Sequence, residues 1–302
     1  MTTALVVGEA LIDIVSRPNQ HSEFVGGSPT NVAIGIARLE HRVRLLTRIG
    51  RDERGERIAQ MLRHEGVDLL PASFSGDRTS TALARIDANG NAQYGFDIEW
   101  RLAPAGIGDA DLLHTGSIAL FLEPGGSEVL RLLQRAAGTA VVTLDPNIRP
   151  ALIADREAAL ARFEQAAALC DLVKLSDEDA AWLYPGAPPE TVVSRVRGLG
   201  PAIAILTRGA DGVLAASSAG VVEVAAHPAS VIDTISAGDA FMASIVSSLL
   251  EAGPEGVAGA LPSALERAAR AAAFAVSASG ANLPTREQVE RRLRDAGSPS
   301  RS

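Results

Sequence analysis

The segment Asp233 to Phe241, DTISAGDAF, runs directly into the apolar, helix-like stretch MASIVSSLL, and its residue types suit a phosphate site. Small residues at Ser236, Ala237 and Gly238 let the backbone turn tightly and approach a ligand. The free N–H groups of the helix that starts there point at the same spot. Asp239 in that place is a poor anion ligand but a good proton acceptor beside one, as a general base activating a hydroxyl for attack on a phosphoryl group must be. Taken alone, Asp-Thr ahead of a helix is equally an ordinary N-cap.

Two further segments bear on that choice. LTRGADG, Leu206 to Gly212, closes the apolar run AIAIL. Its Gly209 and Gly212 mark a turn that either opens a strand onto a ligand or reverses it into VLAASS. GGSPTNVAIGIARLE, from Gly26, has a double glycine, a polar helix start at Ser28 to Asn31 and apolar residues at helical spacing through Leu39, which is also the pattern of a capped helix. Three such pieces in this order resemble the PfkB family of carbohydrate kinases, the ribokinase-like kinases, and the resemblance covers nearly the whole chain. Gly26, Gly27 and Asn31 match the N-terminal signature of that family. Asp233, Thr234, Ala237, Gly238 and Asp239 match its C-terminal signature, DTxGAGD, with Ser236 replacing the glycine before the alanine. If that backbone needs positive φ, the serine carries strain, although its amide still donates. DPNIR (Asp145, Asn147, Arg149), VKLSDED from Val173 and the opening VVGEALIDIV resemble the fructokinase branch and its neighbour, 2-keto-3-deoxygluconate kinase.

The resemblance implies an ATP-dependent transfer of the γ-phosphate to a hydroxyl of a small sugar, D-fructose in first place. The alternatives are 2-keto-3-deoxygluconate, ribose or a nucleoside as acceptor, or a non-catalytic sugar-binding regulator. It implies Asp239 as base and the amides of Ala237, Gly238 and Asp239 as an anion hole, with Ser236 beside them. Asp13, Gly27, Asn31 and Arg149 would hold the sugar. Lys174, Thr207, Gly209 and Gly212 would hold the nucleotide, with Ala278 to Asn282 near its base. Tyr94 and Phe96 share a strand face and either stack on the sugar or form the core of a small sheet. Mg²⁺ would bridge the phosphates, with Asp179 near it where the family carries Asn-x-x-Glu; three acids in a row (Asp177, Glu178, Asp179) are also what a dipole-stabilised helix start looks like. A K⁺ ion held by carbonyls near Asp233 and Ile235 is a further family feature.

Composition sets limits on these readings. The chain has 302 residues, 47% of them apolar, and a net charge of −8, enough for a large core and adverse to nucleic acid. Arg51, Arg54, Arg57 and Arg63 alternate with Asp52, Glu53 and Glu56, the pattern of a solvated helix face. A lone cysteine, Cys170, allows no internal disulfide. No uncharged apolar run is long enough for a membrane span, and a cytoplasmic protein is expected. The chain has one lysine, Lys174, followed by Leu175. A P-loop needs Lys before Ser or Thr, and a protein kinase a VAIK-like strand lysine, so neither is present. No strand leads into the G-x-G-x-x-G of a dinucleotide site.

The elements that must position these residues alternate. ALVVGEAL, a helix from Ser28, VRLLTRIG and a helix from Glu53 to Glu65 predict a parallel sheet covered by helices, a three-layer α/β/α core. Thr79 to Trp100 alternates polar and apolar residues around Ala88-Asn89-Gly90-Asn91, a hairpin signal. With Ile12 to Val25 it would form a small β-sheet, in this family a lid that closes over the sugar, hinged at Gly26-Gly27 and able to pair two chains as a homodimer. One ribokinase-like domain over residues 1–302 is expected, with lid segments at about 12–25 and 79–100. Capping boxes are expected at Ser263–Glu266 and Thr285–Gln288, and a disordered tail at 296–302.

Overall fold

The computed structural model of the chain describes residues 2–18, 20–87, 92–278 and 280–297. Among the described residues, thirteen strands run in chain order: β1 (Thr3–Val7), β2 (Leu11–Arg17), β3 (Gln20–Gly26), β4 (Arg42–Leu46), β5 (Asp68–Leu69), β6 (Thr81–Ile86), β7 (Ala92–Asp97), β8 (Leu112–Gly116), β9 (Val141–Asp145), β10 (Leu172–Ser176), β11 (Ile203–Thr207), β12 (Val213–Ser217) and β13 (Gly220–Val224). The helices are α1 (Ser28–Arg38), α2 (Glu53–His64), α3 (Ile118–Phe121), α4 (Gly125–Ala136), α5 (Arg156–Ala167), α6 (Asp177–Leu183), α7 (Pro189–Gly198), α8 (Ala237–Gly259), α9 (Leu261–Ala275) and α10 (Arg286–Gly297).

Nine strands form one sheet in the order β13-β12-β11-β10-β9-β8-β1-β4-β5. All pairings from β11 to β5 are parallel, and β12 and β13 add an antiparallel hairpin at one edge. Strands buried on both faces read as continuous apolar runs, and β1 shows why. Ala4 and Val6 enter a core shared with α1, α2, α8, α9 and α10, whereas Leu5 and Val7 enter a second core shared with α3 to α7. The fold is therefore the expected three-layer α/β/α arrangement. Among the described residues, no helix is long and apolar enough to cross a membrane.

The small sheet has the order β3-β2-β6-β7. Its register puts Phe24, Asp13, Ala82 and Phe96 in one row, with Ser22, Val15, Ala84 and Tyr94 in the next on the same face. The opposite face carries Ile12, Ile14, Val25 and Leu83 onto the main core, and Glu23 onto Arg54 and Arg57 of α2. The turn expected at Ala88 to Asn91 lies outside the described residues, as do residues 298–302 of the expected tail.

Two boundaries differ from the sequence reading. α9 begins at Leu261, so Ser263 lies within the helix and caps nothing; Pro262, acceptable in a first helical turn, allows this earlier start. α10 continues to Gly297, through two residues assigned to the tail. The Thr285–Gln288 box is formed, with the Thr285 amide donating to Gln288 Oε1 at 2.8 Å and the Gln288 amide to Thr285 Oγ1 at 3.4 Å.

Candidate functional site

Parallel sheets bind ligands beyond the carboxyl ends of their strands, where the strand order reverses. Here the order reverses between β1 and β8. A cleft of about 550 Å³ opens at that point, lined by Glu9 beyond β1, Ser117 beyond β8, Asn147 and Arg149 beyond β9, and Asp177 beyond β10. The front face of the small sheet closes it from above with Asp13, Ala82 and Phe96.

Asp239 lies in the first turn of α8 at the centre of this cleft, 6% exposed. Ser28 Oγ donates to its Oδ1 at 2.6 Å and Asn31 Nδ2 to its Oδ2 at 2.8 Å. Ser28 and Asn31 lie three apart on α1 and therefore share a face. The double glycine before them has two separate causes. A Cβ on Gly26 would lie 1.9 Å from Asp13 Oδ2, and Gly27, at φ 108°, would put one 2.4 Å from the Glu9 carbonyl oxygen. Only glycine brings α1 this close to both acids. Burial raises the Asp239 carboxyl above the usual range, while the hydrogen bonds from Ser28 and Asn31, with Lys174 and Arg149, pull it back. A carboxylate desolvated yet fixed at both oxygens can take a proton from a hydroxyl placed beside it.

Ser236, the N-cap of α8, is left-handed at φ 63°, and its buried Oγ has no hydrogen-bond partner. The positive φ at which a serine would carry strain is therefore the conformation present. The Ala237 amide is engaged by the Thr234 carbonyl at 3.3 Å, which leaves the first-turn amides of Gly238 and Asp239 without a helical acceptor. Beneath them lies Lys174, 3% exposed, with Nζ 2.8 Å from Asp145 Oδ2. A Cβ on Gly238 would come within 3.2 Å of that Nζ. Burial works against the Lys174 charge, but Asp145, Asp179 and Asp239 hold its pKa above the ordinary value. Burial pushes Asp145 up to about 6 against the pull of Lys174. Lys174 is therefore an interior lysine and not a surface one.

Two more acids face the cleft. Burial pushes Glu9 up to about 7, opposed by a hydrogen bond with Ser117 and by Arg149. Partial desolvation pushes Asp13 up to about 6, again opposed by Arg149. Arg149 donates from Nη1 to Asn147 Oδ1 at 2.7 Å.

A second cavity of about 560 Å³ adjoins this cleft. Its walls are mostly apolar, with Ala226, Val231, Phe241, Ala269, Ala273 and Val276 among them, and Thr207, Gly209, Thr234 and Gly238 border both spaces. A polar cleft and an apolar cavity thus meet at the N-terminus of α8. Gly212 also lines the apolar cavity, and its φ of 82° and the Val224 carbonyl, 2.2 Å from any Cβ there, require glycine.

The structure gathers most of the residues singled out from sequence but leaves some aside. Gly27, Ile235 and Ser236 line the polar cleft with the residues named above. Phe96 reaches the cleft, whereas Tyr94 on the next row is 71% exposed and does not; neither is a buried core of the small sheet. Asn282 lines neither cavity and bonds instead to the Phe274 carbonyl at 3.4 Å. Asp179 is turned inward. Its Oδ2 accepts from the Ser176 amide and hydroxyl, and its Oδ1 from the Ile148 amide at 2.6 Å, so the capping arrangement is the one present. Asp177 and Glu178 are the acids of that run that face the cleft. Asp233 accepts from the amides of Ile235 and Gly280, each at 3.0 Å, tying two loops together. Glu9, Ser28, Ser117 and Asp145 were not assigned from sequence as site residues. Ser28 was signalled by its place directly after the double glycine, and Glu9 by being an acid that ends an apolar strand run.

Residues 1–288 match the pfkB family carbohydrate kinase. The chain is 33% identical over 258 residues to a fructokinase of Rhizobium leguminosarum bv. trifolii, covering 81% of this chain and 79% of the relative. It is 32% identical over 309 residues to a fructokinase of Klebsiella pneumoniae, covering 95% and 98%. Among solved structures, it resembles fructokinase from Vibrio cholerae O395, with a TM-score of 0.82 and 26% identity over 96% of this chain and 98% of that one. That enzyme was solved with fructose, ADP and a calcium ion, and a double mutant of it with fructose, ADP and a potassium ion.

Proposed function

The chain belongs to the pfkB family of carbohydrate kinases, phosphotransferases acting on a sugar hydroxyl, and from that premise we propose that its acceptor is D-fructose and its donor ATP. The observation that carries the reading is Asp239, held by Ser28 and Asn31 where the polar cleft meets the apolar cavity. Sugar hydroxyls suit the cleft, with its acids, Asn31 and Arg149. A nucleobase suits the apolar cavity, with the phosphates lying across Thr207, Gly209 and Gly238 towards Asp239.

In this mechanism Asp239 accepts the proton of the attacking hydroxyl as the sugar oxygen bonds to the γ-phosphorus and the bond to ADP breaks. The amides of Gly238 and Asp239, with the N-terminus of α8 behind them, hold the charge on the phosphoryl oxygens. Such donors are worth roughly 3 kcal/mol each. Lys174 adds a buried positive charge beneath the same turn, and Arg149 covers the sugar side.

Among the described residues no group of three or more His, Cys, Asp or Glu is placed to hold a metal ion. Mg²⁺ would therefore be held chiefly by the triphosphate, with Asp177 and Glu178 beside it, and would neutralise phosphate charge. Carbonyls of the 233–235 segment suit K⁺, as the potassium-bound relative supports. ATP as donor puts the site of action in the cytoplasm. The front face of the small sheet, with Phe24 56% and Tyr94 71% exposed, supports a lid over the sugar and a pairing of two lids in a homodimer, which sedimentation would test.

The deciding experiment is ADP release from Mg-ATP with D-fructose, 2-keto-3-deoxygluconate, D-ribose and adenosine, with and without K⁺, beside Asp239→Asn. Turnover on fructose that falls by on the order of a hundredfold or more in the variant supports acceptor and base together. Turnover on another acceptor alone replaces fructose, and sugar binding without turnover on any would overturn the kinase reading.

A further inference from the structure

The apolar cavity beside α8 offers a nucleobase very little that could tell it from another one. Among the described residues, Thr207, His227 and Thr234 alone line it with a side chain that can hydrogen-bond; the other lining residues are glycine, alanine, valine, proline and phenylalanine. Thr207 Oγ1 donates to the Leu175 carbonyl at 3.3 Å. Thr207 and Thr234 both border the polar cleft as well, which puts them at the phosphate end of the cavity. His227 has its Nε2 buried 2.9 Å from Glu266 Oε1, in contact without a hydrogen bond, and Glu266 lies outside the lining.

Other groups suited to reading a base are engaged elsewhere. Asn282 bonds to the Phe274 carbonyl and lines neither cavity. The loop from Arg208 to Gly212 closes on itself, with the Arg208 amide donating to the Gly212 carbonyl at 2.8 Å and the Asp211 amide to the Arg208 carbonyl at 2.9 Å. The walls are of two kinds. Phe241, Ala269 and Ala273 are buried and make the inner side. Ala210 and Pro228 are exposed and Val231 is 64% exposed, so the rim is open to water. A flat ring entering here packs its faces on apolar side chains and covers Val231, while its polar edge stays hydrated at the rim and needs no protein partner.

We propose that the protein takes nucleoside triphosphates as a class, selecting its donor by the phosphates and by the faces of the base, and not by the hydrogen-bonding edge that distinguishes one base from another. The proposal rests on the kinase reading and deepens its donor side. Every base has a face to pack, so such contacts tolerate its identity. Apolar walls separate ligands of like shape by about 10- to 200-fold, whereas a site that hydrogen-bonds a group rejects the analogue lacking it by about 10⁴-fold or more. The phosphates, common to all these donors, meet the same amides of Gly238 and Asp239.

The test is steady-state phosphorylation of D-fructose with the Mg²⁺ complexes of ATP, inosine triphosphate, GTP, CTP and UTP. ATP and inosine triphosphate differ chiefly in the group at the six-position edge. For each donor kcat/KM should lie within about a hundredfold of the ATP value, with KM for fructose unchanged. A larger loss for any of them would overturn the proposal. His227→Phe should change all donors by one common factor. A change of about tenfold or more that falls on one donor alone would make His227 a reader of the base and overturn it equally. If that variant does not fold, the wild-type comparison still decides. Calorimetric titration with ADP, inosine diphosphate and CDP, without sugar, separates this question from the acceptor. Inactivity on every acceptor would reject the kinase reading, and these affinities would then decide alone. Dissociation constants within about a hundredfold of one another support the proposal, and binding of ADP alone, or of none, overturns it.

Discussion

Asn31 donates from Nδ2 to Oδ2 of Asp239 at 2.8 Å, across 208 positions of sequence, and Ser28 completes the hold on the other oxygen. These bonds orient the carboxylate and lower its proton affinity against the burial that raises it. Asn31→Ala and Ser28→Ala should each cut kcat by about tenfold. Because each removes a bond that favours the ionised form, Asp239 should titrate higher, and the acid limb of kcat/KM against pH should move to higher pH. A limb that stays in place, with only KM for sugar altered, would make Asn31 a sugar ligand alone.

Lys174 and Asp145 form a buried pair, 4% and 1% exposed at the side chain. Removing one partner leaves an unpaired charge in the interior. Lys174→Met should therefore cost about 3–5 kcal/mol of stability, with Asp145→Asn in the same chain recovering part of it. Denaturant unfolding measures both, and a loss within 1 kcal/mol would mean that the pair is open to water.

Glu9 predicts a pH dependence of stability. Burial raises its pKa from 4.5 to about 7, so its stabilising contribution is full below the lower value and is lost as pH rises through the upper one. The loss amounts to about 3 kcal/mol. His41 and His114, held below their ordinary value by burial, act in the opposite sense, so the informative quantity is a difference between proteins. Glu9→Gln, which does not ionise, should gain stability relative to the wild type by that amount between about pH 5 and pH 8.5. A difference independent of pH would show that Glu9 titrates normally.

Ser236 holds a left-handed conformation that glycine adopts without cost. Ser236→Gly should raise stability by about 1 kcal/mol, while Ser236→Ala, which keeps the strain, should not. Thermal unfolding of the two variants separates backbone strain from loss of the unpartnered hydroxyl.

The sequence revealed the parts of this site that lie in one stretch of chain. DTISAGDAF shows a tight turn, a helix start and a carboxylate within nine residues, and the double glycine shows a close approach of backbone. What remained hidden depends on folded neighbours. Nothing around Lys174 says that Asp145, on an adjacent strand, neutralises it. Asp179 and Asp177 are alike as letters, but only the first is clasped by Ser176 and Ile148. The place of Asn282 followed from analogy, whereas its side chain bonds back to the Phe274 carbonyl and lines neither cavity. Glu9 looks like any acid after a strand until the reversal of sheet order beside it is known.

The pairing of α1 with the first turn of α8 also bears on synthesis. A ribosome makes α1, the small sheet and every strand of the main sheet before Asp239 exists, and a chain released at residue 230 would lack the base together with the helices α8, α9 and α10 that complete one core. The phosphoryl-transfer site closes only when the two ends of the chain meet, so the last contacts of high sequence separation, which form slowly, mark the moment at which the protein becomes an enzyme.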